Sequence, residues 1–366
     1  MRKIIVTGGH LTPALATIEE LQKNPEVEIV FIGRSRSTEG DKAASAESVV
    51  IPNLGIKFYS ITPGRIQRRF TRYTLWSIGK IPIGVFQALG ILSKERPSAI
   101  LSFGSYVAAP VVFAGWVLGV PIITHEQTLN PGLSNKFVSR FAKKIAVSWE
   151  ESLDHFPKSK AVLTGNPIRA ELLNLSKKRA ARPTIYITGG NQGAHIINEM
   201  VLEILHELLE KYNVVHQSGT SQTYKDFETL TAFATQLPPK LAGRYKLGTW
   251  FDSRDSVEIF SAASLVVGRS GANTVAEAMA LAIPAVFIPL PIAAKNEQMK
   301  NAQVMEKLGA AVILPQERLT PKRLLAAINL VMHDYKKYQS SAKSGRRNLN
   351  LDAAKILARE TLKLVN

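Results

Sequence analysis

At residues 267–277 the chain reads Val267-Gly-Arg-Ser-Gly-Ala-Asn-Thr-Val-Ala-Glu277. An apolar, strand-like run at 262–267 leads into this stretch, and a helix-like run at 274–281 follows it. Gly268 and Gly271 allow the tight turn between the two, because glycine adopts backbone angles that other residues resist. A strand, a glycine turn and a helix in this order form the repeating unit of parallel α/β domains.

The same turn is a candidate ligand site. The first amides of the predicted helix point into the turn, where they favour an anion such as a nucleotide diphosphate. Glu277 lies one turn into the helix, where its carboxylate can accept hydrogen bonds from a ribose diol. Three residues are candidates to cap the helix: Ser270, Asn273 and Thr274. An ordinary capped helix with a surface glutamate explains the stretch equally well.

The strand–helix rhythm recurs in both halves of the chain. Predicted strands lie at 3–6, 27–32, 56–61, 99–103, 122–125 and 144–148, then at 184–188, 213–217, 245–250, 262–267 and 285–289. Predicted helices lie at 13–21, 110–118, 135–142, 196–212, 274–281, 296–308, 321–331 and 352–364. The rhythm predicts an α/β protein with two Rossmann-like, doubly wound parallel-sheet domains facing across a cleft. We place them at 1–164 and 165–349, with a C-terminal helix at 350–366 as a candidate to pack back on the first.

Composition excludes several classes of protein. The 366 residues are 45% apolar and contain no cysteine, which excludes disulfides and thiol chemistry. No apolar run approaches the ~20 residues of a membrane span, and we expect no signal peptide. The net charge of +17 is concentrated at 48–149, where 12 Lys and Arg face only Glu95 and Glu126. Nucleic acid, an anionic membrane and an acidic substrate are all compatible with that charge.

Nine motifs occur in the order found in the MurG family of bacterial glycosyltransferases, and they span roughly residues 3–330. They are Thr7-Gly8-Gly9-His10 with Pro13-Ala14, Gly104-Ser105-Tyr106, His125-Glu126-Gln127, Gly132-Leu133 with Asn135-Lys136, Gly165-Asn166-Pro167 with Arg169, Gly189-Gly190-Asn191-Gln192-Gly193-Ala194 with Asn198, His216-Gln217-Ser218-Gly219, Arg269-Ser270-Gly271-Ala272 with Glu277, and Gln298 with Asn301-Ala302. One glycine loop alone is weak evidence, whereas nine collinear motifs are specific. The chain therefore resembles this family.

The resemblance implies a GT-B fold and a transferase of peptidoglycan synthesis, with consequences for cell shape and division. The implied donor is UDP-N-acetylglucosamine. The implied acceptor is lipid I, undecaprenyl-diphosphate-N-acetylmuramoyl-pentapeptide, whose C4 hydroxyl attacks the anomeric carbon in one inverting step to give the β-1,4 bond of lipid II. It implies no cofactor and no metal, and the sequence has no Asp-x-Asp and no clustered set of ligands.

The resemblance also assigns donor contacts. Phe251 is expected at the uracil through its backbone, Glu277 at the ribose and Gln298 at the sugar hydroxyls. Backbone amides of the glycine loop and the helix, with Arg169 and Arg269, are expected to stabilise the charge that develops on the leaving diphosphate. The full set is Thr7, Gly8, Gly9, Thr128, Arg169, Asn191, Gln192, Gly193, Phe251, Arg269, Ala272, Asn273, Thr274, Val275, Ala276, Glu277 and Gln298.

His10 is the first candidate for the base that accepts the hydroxyl proton. It follows two glycines at a predicted helix N-terminus, whose positive end keeps the imidazole neutral. The same place suits the acceptor diphosphate, so a role as phosphate ligand is equally open. His125 and Glu126 form the alternative, as a base or an orienting pair. Expected acceptor contacts are Gly9, His10, Tyr106 and Asn135.

The chain departs from the family pattern at several positions. Ile5 and Val6 stand where the first two glycines of Gly-Gly-Thr-Gly-Gly-His are expected, so the first loop is predicted to be shorter or differently shaped. Thr128 replaces Asn after His-Glu-Gln, which predicts a weaker or different sugar contact. Ser105 stands for Gly and Asn191 for Ser. A changed sugar or acceptor is compatible with these differences.

A basic and apolar stretch at 65–92 is predicted to dock on an anionic membrane surface. Its arginines suit headgroups and its aromatic and aliphatic side chains suit the interface. The expected membrane residues are Arg68, Arg69, Phe70, Arg72, Trp76, Lys80, Ile81, Phe86 and Trp116. Core aromatics with a solvated arginine face are the alternative. Docking predicts a peripheral protein on the cytoplasmic face of the inner membrane, with other cell-wall synthesis proteins as further partners.

Three rival functions follow from the same residues. An NAD-dependent oxidoreductase requires Gly-x-Gly-x-x-Gly after the first strand, a spacing that Thr7-Gly-Gly-His lacks. A nucleic-acid binder would use the basic region at 48–149, and we expect no nucleic-acid partner. A sister GT-B enzyme with another UDP-sugar or lipid acceptor is the nearest rival.

Overall fold

A computed structural model of the chain describes residues 1–36, 45–64, 72–175 and 181–365, with backbone alone at 72–78, 253 and 294. The chain divides into two compact units. Unit 1 comprises Met1–Arg169 with Asn350–Asn366, and unit 2 comprises Ala170–Leu349. The break therefore falls after Arg169, five residues beyond the predicted boundary, because the 165–169 turn packs with the first unit.

Unit 1 contains a seven-stranded parallel sheet in the order β3-β2-β1-β4-β5-β6-β7. Its strands are β1 (Arg2–Thr7), β2 (Val27–Gly33), β3 (Lys57–Ser60), β4 (Ala99–Ser102), β5 (Ile122–Glu126), β6 (Lys144–Val147) and β7 (Ala161–Leu163). Its helices are α1 (Leu11–Gln22), α2 (Ala46–Asn53), α3 (Arg72–Glu95), α4 (Ser105–Val117) and α5 (Leu133–Phe141), with a 3-10 turn at Glu150–His155.

Both faces of this sheet are covered, which explains why its strands are continuous apolar runs. Ile4 and Val6 of β1 point into the core on one face, and Ile5 points into the core on the other. The last helix of the chain, α15 (Ala353–Leu362), lies on the same face as α1 and contributes the fully buried Leu357 to that core.

Unit 2 repeats the plan with a six-stranded parallel sheet in the order β10-β9-β8-β11-β12-β13. Its strands are β8 (Thr184–Thr188), β9 (Asn213–Gln217), β10 (Tyr245–Gly248), β11 (Ala263–Gly268), β12 (Ala285–Phe287) and β13 (Ala311–Ile313). Its helices are α6 (Ala170–Leu173), α7 (His195–Lys211), α8 (Asp226–Ala234), α9 (Pro239–Ala242), α10 (Ser253–Ala262), α11 (Ala272–Ala280), α12 (Glu297–Lys307), α13 (Pro321–His333) and α14 (Tyr335–Arg347), with 3-10 turns at Ala294–Asn296 and Gln316–Arg318.

The prediction of two doubly wound parallel sheets is confirmed, and the errors lie in weakly patterned segments. The short strands β7 and β13 and the helices α3, α6, α8, α9, α10 and α14 were not predicted. Helix α14 has only two buried residues, Ala342 and Gly345, so no apolar stripe marks it in the sequence. Helix α4 begins at Ser105 and not at the predicted 110. Within the described ranges no helix is long and apolar enough to cross a membrane.

Candidate active site

The strand order of each sheet reverses at one place, between β1 and β4 in unit 1 and between β8 and β11 in unit 2. Ligands of doubly wound sheets bind beyond the carboxyl ends of the strands at this switch point. Both predicted glycine turns, after β1 and after β11, lie there. Each unit therefore has a candidate ligand site at the switch point of its own sheet.

In unit 1 the loop from β1 to α1 is only three residues long, Gly8 to His10. Ile5 and Val6 are fully buried residues of β1, so they are strand positions and not loop positions. Gly8 has φ 137°, and a Cβ there would lie 2.8 Å from the carbonyl carbon of Phe103. The loop is thus packed against the end of β4 and no larger residue fits at Gly8.

His10 is the N-cap residue of α1, and its side chain makes no capping hydrogen bond. Its Nδ1 atom lies 2.8 Å from Nε2 of Gln127. Burial of the ring lowers the pKa of His10 to about 4, and the positive charge of Arg34 contributes. With this pKa the imidazole is neutral at physiological pH. The sequence predicted a neutral ring from the helix N-terminus, whereas the causes in the structure are burial and Arg34.

Gln127 follows β5 and was not predicted as a site residue. It is 6% exposed, and its backbone carbonyl accepts a hydrogen bond from Nε1 of Trp149 at 3.2 Å. Among the described residues its Oε1 atom has no hydrogen-bond partner. Its place in the His-Glu-Gln motif was the one signal in the sequence.

His125 and Glu126 are interior residues of the same strand. Nε2 of His125 lies 3.2 Å from the carbonyl oxygen of Gly165 and 3.1 Å from Oγ of Ser148. Burial lowers the pKa of His125 to about 4. The ring therefore connects β5 to the backbone of Gly165 and to the side chain of Ser148.

Glu126 braces the following turn. Its Oε1 accepts hydrogen bonds from N and Oγ1 of Thr128 at 2.9 and 2.8 Å, and its Oε2 accepts one from Nδ2 of Asn135 at 2.8 Å. Burial raises the pKa of Glu126. The hydroxyl of Thr128, which has one hydrogen to donate, also lies 2.8 Å from the carbonyl oxygen of Asn130. Thr128 and Asn135, predicted as substrate contacts, are thus both buried and bonded within unit 1.

Arg34 lies at the candidate site of unit 1 and was not predicted as a site residue. It follows directly after β2, so it lies at the carboxyl edge of the sheet. Nη1 of Arg34 donates a hydrogen bond to the hydroxyl of Tyr106, and Nε lies 3.2 Å from Oε1 of Glu47. The predicted Tyr106 is therefore brought beside a guanidinium group whose charge reaches His10.

In unit 2 the loop 189–194 follows β8 and the turn 268–271 follows the adjacent β11. Gly268 has φ 156°, and a Cβ there would lie 1.8 Å from the carbonyl oxygen of Thr188, so the two turns touch. Nε2 of Gln217 donates to the carbonyl oxygen of Gly190 at 3.1 Å, and N of Thr220 donates to that of Asn191 at 2.9 Å. These bonds hold the loop, and Asn191 and Gln192 remain exposed.

The cap of α11 differs from the prediction. Gly271 is the N-cap residue and no side chain caps the helix. Ser270, a predicted cap, donates instead to the carbonyl oxygen of Gln298 at 2.7 Å. The first amides of α11 are thus left without a side-chain cap and face the turn, which suits an anion.

The residues of α11 that were predicted to contact the sugar donor fall into a buried group and a partly exposed group. Ala272, Val275 and Ala276 are buried, so only their backbone can contact a ligand. Asn273, Thr274 and Glu277 are partly exposed. Glu277 is four residues from Asn273 and three from Thr274, so the three share one face of the helix.

Arg269 and Gln298 hold the loops of unit 2. Nη1 of Arg269 donates to the carbonyl oxygen of Ile288 at 2.9 Å, and its Nη2 donates to Oε1 of Gln316 at 2.7 Å. Burial lowers the pKa of Arg269 to about 10, so its guanidinium stays charged at neutral pH. Oε1 of Gln298 accepts from N of Leu290 at 3.0 Å.

Two further predicted donor residues are buried. Phe251 is 8% exposed, with Nζ of Lys246 5.5 Å from its ring centroid. Arg169, the last residue of the first segment of unit 1, is 6% exposed, and its Nε has no hydrogen-bond partner among the described residues.

The predicted membrane residues are only partly described. Arg68, Arg69 and Phe70 lie outside the described residues, and the side chains of Arg72 and Trp76 in α3 are likewise outside. Lys80 and Ile81 are half-buried, whereas Phe86 is 72% exposed and Trp116 is 53% exposed.

Trp116 belongs to an aromatic cluster on α4 and α5 that the sequence did not reveal. Its ring centroid lies 5.1 Å from that of Phe141 and 5.9 Å from that of Phe113, and Phe137 packs on Phe141 at 5.0 Å. The described residues contain no group of three or more His, Cys, Asp or Glu side chains that could hold a metal ion.

Comparison with known proteins identifies the family. The glycosyltransferase family 28 N-terminal domain matches residues 4–147 and the C-terminal domain of that family matches residues 184–357. The chain is 34% identical over 351 residues to the UDP-N-acetylglucosamine--N-acetylmuramyl-(pentapeptide) pyrophosphoryl-undecaprenol N-acetylglucosamine transferase of Clostridium botulinum, covering 92% of this chain and 93% of that protein. The chain belongs to this family, the MurG family of glycosyltransferases.

Other relatives agree. The transferase of the same name from Clostridium kluyveri is 36% identical over 339 residues, 89% of this chain and 90% of the relative. The crystal structure of Acinetobacter baumannii MurG aligns with a TM-score of 0.70 at 26% identity, over 99% of this chain and all of that one. The glycosyltransferase of kitacinnamycin shares the fold alone, with a TM-score of 0.71 at 16% identity. The resemblance to the MurG family and the GT-B fold class are thereby confirmed.

Proposed function

We propose that this protein transfers N-acetylglucosamine from UDP-N-acetylglucosamine to the C4 hydroxyl of lipid I and so forms lipid II for peptidoglycan. The observation that carries the proposal is the identity of 34–36% over about 90% of the chain with transferases of that name. Unit 2 is assigned the donor and unit 1 the acceptor.

The donor assignment is supported by the edge of the second sheet. The uncapped amides of α11 and the braced loop 189–194 supply hydrogen-bond donors for a diphosphate. Glu277 is assigned to the ribose, one turn further along the helix. Buried Arg269 adds positive charge behind the turn, which stabilises the diphosphate as it leaves.

The acceptor assignment is supported by the edge of the first sheet. In the reaction the C4 oxygen of the acceptor bonds to C1 of the donor sugar, the bond from C1 to the UDP oxygen breaks, and its electron pair leaves with UDP. The hydroxyl proton leaves as the new bond forms. His10 is assigned to the acceptor, in one of the two roles that the residue type allows, base or phosphate ligand. No metal or cofactor is assigned.

UDP release tests the transfer. Purified protein is supplied with UDP-N-acetylglucosamine, with and without a soluble lipid I analogue, and UDP and the disaccharide product are measured. We expect UDP release that depends on the acceptor, with one disaccharide formed per UDP. Release that is independent of the acceptor would rule out the transferase assignment.

We also assign unit 1 to the cytoplasmic face of the membrane, where a polyprenyl acceptor lies. The aromatic cluster supports this, because Trp116 and Phe137 are exposed and the basic Lys136, Arg140 and Lys143 are exposed around them. Sedimentation with vesicles containing anionic lipid is the test. We expect Trp116→Asp to lower binding at least several-fold and Trp250→Asp, an exposed tryptophan of unit 2, to leave it unchanged. Equal binding of both variants would contradict the assignment.

A second candidate is transfer from another UDP-sugar. The observation in its favour is Thr128, which replaces the family's Asn and whose hydroxyl is bonded within unit 1. Competition among UDP-N-acetylglucosamine, its galacto epimer and UDP-glucose distinguishes the two, and the sugar with the highest kcat/KM is the donor.

A further inference from the structure

The orientation of the Gln127 carboxamide in the structure corresponds to one tautomer of His10. Nε2 of Gln127 lies 2.8 Å from Nδ1 of His10. A carboxamide nitrogen carries hydrogens and only donates, so Nδ1 is the acceptor in this bond. A neutral imidazole has one protonated nitrogen, and the proton of His10 is therefore on Nε2. That atom is a hydrogen-bond donor and has no lone pair with which to accept a proton.

We propose that Gln127 holds the neutral imidazole of His10 in the Nε2–H tautomer, so that His10 donates a hydrogen bond to a phosphate oxygen of the acceptor and does not act as the base. The inference rests on the proposed function, since it assigns the role of His10 in that reaction. Gln127 is a positioning residue, because it acts through His10 and not on the substrate.

The surroundings of His10 favour an anion. His10 is the N-cap residue of α1, at the end where the helix dipole is positive, and Arg34 adds a full positive charge. The same charge, with burial, lowers the pKa of His10 to about 4. A nitrogen with so low a pKa is a weak base at neutral pH. It remains a good donor, since a neutral histidine at a helix N-terminus can polarise a substrate oxygen.

The proton balance of the transfer is kept without His10. As the bond from C1 to UDP breaks, the departing diphosphate gains one negative charge, and the proton that the C4 hydroxyl loses on the opposite face of the sugar passes to solvent water. His125 is the other imidazole close enough to interact electrostatically with His10, and its Nε2 is directed to the backbone of Gly165.

The rival arrangement differs by one rotation. If the carboxamide of Gln127 were turned by 180°, its Oε1 would accept a proton carried on Nδ1, and Nε2 of His10 would be left as a base. Because Oε1 has no hydrogen-bond partner among the described residues, no second bond of that atom opposes the rotation. The two arrangements predict opposite results for the same variants.

Paired substitutions at His10 separate a donor from a base. Glutamine places an N–H donor near the position of Nε2 but supplies no basic nitrogen, whereas alanine supplies neither. We expect His10→Gln to keep kcat within about tenfold of the wild type, and His10→Ala to lose about 100-fold or more. Equal loss in both variants would show that the basic nitrogen is required and would overturn the proposal.

Gln127→Glu gives the complementary test. A carboxylate only accepts, so it forces the proton of His10 onto Nδ1 and removes the donor at Nε2. We expect kcat/KM for the acceptor to fall about tenfold or more with the donor KM unchanged. If Gln127→Glu retained activity and the acid limb of its pH profile moved to higher pH, His10 would be established as the base. Gln339→Glu on α14, which belongs to unit 2, is the matched control for adding a charge.

The tautomer is also measured directly, without substrate. The protein contains seven histidines, and ¹⁵N imidazole spectra of the wild type and of His10→Gln assign the His10 signals by difference. We expect a protonated Nε2 and an unprotonated Nδ1, and a mixture of tautomers in Gln127→Met. A protonated Nδ1 in the wild type would overturn the inference. Failure of transfer by the wild type would instead overturn the proposed function and leave this measurement valid.

Discussion

Replacing Glu277 tests whether its carboxylate binds the ribose of the donor. The carboxylate lies six residues into α11, partly exposed on the face that it shares with Asn273 and Thr274. Hydrogen bonds to a charged group contribute ~1.5–3 kcal/mol. The two ribose hydroxyls share one partly exposed carboxylate, so we expect about 2–3 kcal/mol for the pair together. Since ~1.4 kcal/mol is tenfold in affinity, Glu277→Ala should raise the Kd of UDP roughly 30- to 150-fold.

Titration calorimetry with UDP measures this change, and steady-state kinetics should show a rise in the donor KM with little change in kcat, because the ribose contact is equal in the ground and transition states. Glu277→Gln keeps one acceptor without the charge and should lose about tenfold. Glu306→Ala, at an exposed position of α12, is the control. The wild type should bind 2′-deoxy-UDP more weakly than UDP, and in Glu277→Ala the difference between the two ligands should be smaller. A Kd of Glu277→Ala within twofold of the wild type would refute the ribose contact.

Three further predictions concern stability and metal dependence. Ser105 has φ 68°, a backbone conformation that costs a non-glycine residue ~1 kcal/mol. Ser105→Gly should therefore raise the free energy of unfolding, measured in urea, by about that amount. An unchanged free energy of unfolding would contradict the strain at Ser105. Hydrogen bonds from Lys3, then from Lys57 and Tyr59, lower the pKa of Glu95 from 4.5 to about 2. Because the folded pKa is the lower one, this stabilisation is present above pH 4.5 and is lost as the pH falls towards 2. Glu95→Gln should therefore cost about 2 kcal/mol at pH 7 and much less at pH 3, as urea unfolding at both pH values will show, and an equal cost at both would refute it. EDTA should leave the rate of transfer unchanged; a loss that Mg²⁺ restores would establish a metal requirement.

The fold was predictable because the central strands, such as β4, β5 and β8, are buried on both faces. Such strands are unbroken apolar runs, as in the stretch from Ile4 to Val6, and a glycine turn at their carboxyl end marks the start of the next helix. The 335–347 helix has no apolar stripe and the strands at 161–163 and 311–313 have three residues each. A pattern needs more than one period to be recognised, which explains why these elements were missed.

The candidate site was predictable in its residue types and not in its contacts. Gln127 and His10 are 117 residues apart, and Arg34 and Tyr106 are 72 apart. No local pattern encodes such pairs, because they depend on which strand ends meet at the switch point. Glu126 shows the opposite case. A carboxylate in a conspicuous motif suggested chemistry, but its two oxygens are bonded to Thr128 and Asn135 within the unit.

The two units offer an anion different hydrogen-bond donors at the carboxyl ends of their strands. In unit 2, Ser270 and Arg269 are bonded to neighbouring loops, which leaves the uncapped amides of α11 to face the ligand. In unit 1 the loop between β1 and α1 has three residues and therefore few amides to offer. The N-terminus of α1, like that of α11, has no side-chain cap, and His10 and Arg34 add a donor and a positive charge at this edge. A neutral His10 that donates through Nε2 adds one donor to these helix amides, whereas a His10 that acts as base would remove that donor from the diphosphate.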